Sequence, residues 1–193
     1  MQINKEFLKS LNPCADRYKN YLEHHGEFSG SLSDFLGLPD LDYNDKVWVA
    51  ERVLNKNQAV NWSILCAESV VHMFEDKHPG NKSLSNCIEF LKTVNDFNNL
   101  TDTEKEKIKK HLYIIGDYYA AYAVGAAHAL YAANATYAAC AAACEARYAV
   151  DVATYATNAA YNAANAAAFA DEDAAKHNQQ ALNLQFLKQA ISL

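Results

Sequence analysis

The chain is predicted to be all-α, a bundle of about seven to nine helices in a single domain, residues 1–193. Three observations carry this. From Tyr118 to Ala175 about half the residues are alanine, the best helix former, because it loses no side-chain entropy and buries no polar group. Glycine and proline number only 6 and 3 in 193 residues, so sharp turns are few, which argues for long helices and against a β-sandwich or barrel. Before residue 116 the larger apolar residues recur at helical spacing. The domain thus has an amphipathic part, 1–116, and a part of closely packed alanine-rich helices with a C-terminal docking helix, 117–193.

Phe7, Leu8 and Leu11 start a short helix that Asn12-Pro13 ends. Cys14 to Glu23 reads as a second, with Tyr18, Tyr21 and Leu22 on one side. His24-His25-Gly26 closes it, the glycine suiting a left-handed cap. Ser31 to Leu38 is a brief helix, and Leu38 to Asp42 a connection. Asp45 is the expected N-cap of the next helix, whose apolar face is Val47, Trp48, Ala50, Val53 and Leu54. Asn55 to Asn57 interrupts. The clearest amphipathic pattern follows: Val60, Ile64, Ala67, Val71 and Phe74. His78-Pro79-Gly80-Asn81 is a break. Ile88, Leu91 and Val94 mark a helix that Asn98-Asn99 ends. Thr101 to Glu104 is a capping box, and Ile108, Leu112 and Ile115 continue from it as far as Gly116-Asp117, a break or bend.

Unbroken, the alanine-rich region would exceed about 80 Å, too long for a compact domain of this size. At least one reversal is expected, at Gly125, near Asn134 to Thr136, or at Asp171 to Asp173. Tyr137, Tyr148 and Tyr155 are spaced for one helix face, and Arg147, Asp151, Asn158, Asn162 and Asn165 for a neighbouring polar stripe. Leu184, Leu187 and Ile191 give the C-terminal helix its docking face.

The formal net charge is −6, with the acids scattered. Direct nucleic-acid binding is not expected, because phosphate neutralisation needs clustered Lys and Arg. A basic protein partner is electrostatically acceptable. Asp40, Asp42, Asp45 and Glu51 gather acidity around one connection and helix start, where capping and a solvated face compete with a partner-binding patch. Tyr118 to Cys144 is uncharged and long enough to span a bilayer, but Leu, Ile, Val and Phe are almost absent from it, so no membrane segment is expected. The five cysteines (Cys14, Cys66, Cys87, Cys140 and Cys144) include no CxxC and no disulfide-framework spacing, so they read as small buried hydrophobes. With no apolar leader, a reducing, cytoplasmic setting is expected.

Catalytic chemistry finds little footing. Cys140 and Cys144 are one turn apart, but two ligands are short of a zinc site's four, and His128 is too far along the helix to join them. His24-His25 has no nucleophile or base beside it in sequence, and His72 with Asp76 reads as a surface or boundary pair. There is no zinc-protease, phosphate-loop or nucleophile-elbow motif. No catalytic residue, cofactor or metal is expected, and the chain is read as a non-enzyme.

Several stretches resemble a known family. They are Leu11-Asn12-Pro13-Cys14, the run from Asp45 to Asn55, the run from Cys66 to Glu75 with Lys77-His78-Pro79 after it, and Ile88-Glu89 ahead of an alanine–tyrosine–asparagine tail. Together they are similar to the alanine-rich, all-helical family of immunity proteins from bacterial polymorphic-toxin systems. The segment from Trp48 to Glu89 is the most specific part. The resemblance implies a helical protein that binds and neutralises a cognate toxin, a nuclease in the favoured reading, by occlusion. It brings no catalytic residues. The family's Arg-Pro pair is replaced here by Ser83-Leu84, where Ser83 or Ser85 can serve as a helix cap instead. Two other readings share the same features: an inhibitor carried by a phage or mobile element against a host defence nuclease, and a helical scaffold or homo-oligomer paired through its alanine helices.

Overall fold

The computed structural model describes residues 1–122, 127–144 and 149–192, and the side chains of these outside 116–133, 144–154 and 168–174. Among the described residues there are nine helices and no strand beyond one isolated bridge. The chain clusters into two compact units, Met1–Leu54 and Asn55–Leu193. This division falls well before the change of composition at residue 116, because amphipathic and alanine-rich helices pack together in the second unit.

Unit 1 holds α1 (Lys5–Ser10), α2 (Ala15–His25), α3 (Leu32–Leu36) and α4 (Tyr43–Val53). Ile3 and Gly30 exchange both backbone hydrogen bonds, at 2.7 and 3.1 Å. A side chain at Gly30 would meet the tip of the Phe28 ring at 2.8 Å, so the ring would have to shift. Ser31 and Asp34 form a reciprocal capping box on α3. Two expectations fail here. Gly26 caps α2 with φ −60, right-handed rather than left-handed; positive φ occurs instead at Asn12, Asp40 and Gly80. Leu22 is exposed, so the buried side of α2 is carried by Tyr21.

Unit 2 is built around α5 (Lys56–Glu75), which packs on α6 (Ser83–Lys92), α8 (Ala127–Cys144) and α9 (Ala149–Ser192); α7 (Asp102–Tyr122) packs on α6 and α8. A capping box between Asn55 and Gln58 starts α5, and the expected box between Thr101 and Glu104 starts α7. α7 runs on through Gly116-Asp117. α6 stops at Lys92, leaving buried Val94 outside it; Asp96 and Asn57 organise the following turn. Neither Ser83 nor Ser85 caps α6: the Asn81 carboxamide oxygen accepts from the Ser83 amide, and Ser85 donates to Glu75.

α5 is buried on more of its circumference than one amphipathic stripe covers. Val60, Ile64, Ala67 and Phe74 are inside as expected, but so are Trp62, Cys66 and Val70, whereas Val71 is half-buried. The extra faces meet alanine: Ala135, Ala138, Ala139 and Ala141 to Ala143 of α8, and Ala156, Ala159, Ala160, Ala163, Ala164, Ala166 and Ala167 of α9, are all buried. Alanine lets helix backbones approach closely but buries little area, so the bulky residues of α5 fill what it leaves.

α9 is one run of helical residues but not one straight rod. The Asn183 carboxamide donates to the Ala160 carbonyl at 2.8 Å. In a straight helix those residues would be about 35 Å apart. The run therefore folds back between Ala160 and Asn183. Of the three expected reversal points, Asp171 to Asp173 lies within the stretch that folds back, Asn134 to Thr136 is interior to α8, and Gly125 lies outside the described residues. Asn158, Asn162 and Asn165 lie on one face of the first arm, partly exposed, as expected. The tyrosine stripe does not form: Tyr137 is on α8 and Tyr155 on α9, while Tyr148 and Arg147 lie outside the described residues.

The second arm of α9 is the docking segment anticipated for the C-terminus, although it continues the helical run rather than forming a separate helix. It lies antiparallel to α5. Gln58 donates to the Ile191 carbonyl, the Trp62 indole to the Asn183 carbonyl at 2.9 Å, and Gln179 to the Ser69 hydroxyl. Gln179 also donates to the Asn183 side-chain oxygen at 3.0 Å. Asn183 thus joins α5 and both arms of α9, with no exposed surface.

Two outcomes follow. Asn183→Leu leaves the Ala160 carbonyl and one Gln179 contact without their partner and is expected to cost about 2–3 kcal/mol in urea unfolding; a loss below about 0.5 kcal/mol would contradict the lock. Asp96 accepts from Asn99, Asn57 and Asn98, which hold its carboxyl below the ordinary value at about 2. A carboxyl depressed in the folded state adds stability above its unfolded pKa, lost as the pH falls through its folded pKa. Asp96→Asn should therefore unfold earlier than the native chain at about pH 6, the difference vanishing below about pH 2.

Candidate functional site

The four acids picked from sequence lie on α4 and the connection before it. α4 begins three residues earlier than expected, so Asp42 is its N-cap, accepting from the Asn44 amide at 2.8 Å, and Asp45 stands in the first turn instead. Both suit the positive end of the helix dipole. The structure brings Asp42 and Asp45 together around Arg17 of α2, at 3.6 and 3.2 Å. Asp40 is exposed on the connection with φ 57. Glu51 is separate: it lies six residues beyond Asp45, about 9 Å along the helix and on another side. It pairs with Arg52 at 3.3 Å. Arg52 in turn covers the Trp48 ring at 3.8 Å and donates to the Trp48 carbonyl.

Beside the Arg17 cluster is a cleft of about 40 Å³. Leu8, Tyr18, Tyr21, Phe35, Trp48 and Val49 supply apolar wall, and Arg17 and Asp45 line it as well. Tyr18 donates its hydroxyl to the Lys5 carbonyl, whereas the buried Tyr21 hydroxyl has no hydrogen-bond partner among the described residues. Burial pushes the Asp45 carboxyl up, and the nearby Arg17 charge pulls it down without fully offsetting that. Burial likewise raises the Tyr21 phenol. Arg17 was not singled out from sequence, nor were Tyr18 and Tyr21 as cleft residues. Their only signal there was the apolar side of α2.

Other chemically capable groups serve structure. Burial would raise the Glu75 pKa, but hydrogen bonds from Lys82 and Ser85 hold it below its ordinary value. His111 is pushed down by burial and stacks on Phe90. His24 and His25 bond the carbonyls of Asn20 and Pro39. His72 is exposed. Among the described residues no group of three or more His, Cys, Asp or Glu could hold a metal ion, and no helix is long and apolar enough to cross a membrane.

The cysteines depart from expectation. Cys87 of α6 and Cys140 of α8 are both buried and meet as a disulfide, with Cα atoms 7.5 Å apart. Fifty-three residues separate them in sequence, and only the packing of α6 on α8 brings them together. That span exceeds the usual one for a disulfide. Cys66 is a buried free thiol as expected, but Cys14 is exposed, and the Cys144 side chain lies outside those described.

The chain matches no protein-family model, no curated protein and no solved structure. The likeness to toxin-immunity proteins therefore rests on the residues quoted for it.

Burial raises the Cys66 pKa well above its ordinary value, whereas Cys14 is open to reagent. Iodoacetamide applied to the folded chain at about pH 8 should alkylate Cys14 and leave Cys66 until the chain unfolds. Peptide mass mapping reads this, and early modification of Cys66 would contradict its burial.

Proposed function

We propose that this chain is a non-enzymatic inhibitor: an immunity protein that binds a cognate bacterial toxin, a nuclease, and occludes its basic active cleft. The observation that carries the reading is the unit 1 face, where an aromatic-walled apolar cleft adjoins the Asp42–Asp45 carboxylates. Protein interfaces combine these parts, with apolar and aromatic anchors in pockets and charges at the rim that steer and orient a partner. The net charge of −6 agrees with a basic partner. Asp40 adds to the same acidic edge, and Glu51 acts through Arg52 at the far end of α4. The setting in this reading is cytoplasmic, where a disulfide such as Cys87–Cys140 is rare. A phage-borne inhibitor of a host nuclease would use the same face, and its gene neighbourhood distinguishes it.

A homo-oligomer is the second reading, favoured by three exposed tyrosines of unit 2: Tyr113, Tyr137 and Tyr161. Light scattering at high concentration separates it, since a monomer removes it.

Co-expression with the neighbouring effector gene tests the main reading. The native chain is expected to restore growth and to co-purify with the effector. The charge reversal Asp42→Lys with Asp45→Lys is expected to weaken the complex by at least ~10-fold while the circular dichroism of the chain stays helical. No complex and no rescue by the native chain would remove the proposal.

A further inference from the structure

We propose that the unit 1 cleft is a cation-recognition pocket that receives one arginine or lysine side chain of a basic protein partner, its place near the carboxylates being held by Arg17 while the partner is absent. This deepens the inhibitor reading and rests on it for the identity of the partner; the pocket itself is tested without one.

The size of the cleft limits its occupant. At about 40 Å³ it is far below the volume that takes a drug-sized molecule. A slender alkyl stem fits, and arginine and lysine carry such stems, burying them on apolar surface while the charged head sits elsewhere. The walls from Leu8, Phe35 and Val49 suit the stem.

The polar groups select the charge of the head. Asp42 and Asp45 share one guanidinium, so two carboxylates face one cation. Tyr21 belongs to the cleft wall, and its buried hydroxyl has no hydrogen-bond partner among the described residues, so its oxygen is left without a donor. Guanidinium and ammonium groups are donors only, and an anion would meet the two carboxylates. The Trp48 ring already carries one cation, Arg52, on its face. The raised Asp45 carboxyl agrees with this, since burial there exceeds what Arg17 compensates.

Arg17 makes the proposal specific. It is half exposed, at 51%, and bonded at the edge of the cleft rather than locked in the core. An incoming cation competes with it for Asp45.

The test uses the full chain and n-butylguanidinium chloride as the probe, with n-butanol and guanidinium chloride as comparisons at matched ionic strength. Amide and indole resonances are followed by nuclear magnetic resonance. Saturable shifts are expected at Tyr21, Asp45 and Trp48, with a Kd of roughly 1 mM, at least ~5-fold tighter than for either comparison. Arg17→Gln, which removes the competitor, should tighten the probe by ~3-fold, and Asp45→Asn should abolish the saturable shifts. No saturation, equal binding of n-butanol, or an unchanged affinity in Arg17→Gln would overturn the proposal. If Asp45→Asn does not fold, the native chain and the two comparisons decide alone. Because no toxin is present, a failed titration removes the pocket and leaves the inhibitor reading standing, and a failed growth rescue does the reverse.

Discussion

Asn183 is the residue on which the second unit depends. Its backbone carbonyl accepts the Trp62 indole from α5, and its side chain donates to Ala160 on the other arm of α9. Gln179, one turn earlier, braces its side-chain oxygen. The need for such a lock follows from the alanine. Alanine makes helices readily and lets them approach, but each alanine buries little area and has no shape to interdigitate. A helix pair made only of alanine has a weakly specified register. A buried polar network specifies it, because any slip leaves several polar groups unsatisfied at once.

The two units use different physics. In unit 2, large side chains of α5 (Trp62 and Phe74 among them) are surrounded by helices that contribute mainly backbone and methyl groups. In unit 1 the helices are short, and their ends matter more: an Asn4 cap, a Ser31–Asp34 box, the Asp42 cap and the Ile3–Gly30 bridge. The same helix start that needs an acidic cap at Asp42 also places Asp45 beside an aromatic cleft. The acidity has two separate places in the fold. Asp42 caps, Asp45 lines the cleft, and Arg17 links them.

How much could be read beforehand varied with the kind of signal. Capping chemistry at Thr101 and Glu104, and the Pro79-Gly80 break, were legible because they are local and need no partner. The helical state of the alanine region was legible from propensity alone. The reversal within α9 was not legible as a position: it follows from the packing that brings Asn183 to Ala160. Trp62, Cys66 and Val70 fall outside the stripe read for α5, because a single amphipathic stripe assumes one buried face, and α5 is covered on several. The Cys87–Cys140 meeting had no local signature, since it arises from α6 lying on α8. Asp45 was misread as a cap because the helix start was placed three residues late. At the candidate site, the acids were legible as a cluster, but the cleft beside them draws on α1, α2, α3 and α4 and exists only once they fold.

The most direct measurement of the central claim is hydrogen exchange at the Trp62 indole. That proton sits in the bond joining α5 to the second arm of α9. If the bond locks unit 2, the proton exchanges only when the unit unfolds, and its exchange free energy falls with added denaturant at the slope of global unfolding. Exchange that is fast and nearly independent of denaturant would mean that the arm opens locally, and that Asn183 does not hold the fold together.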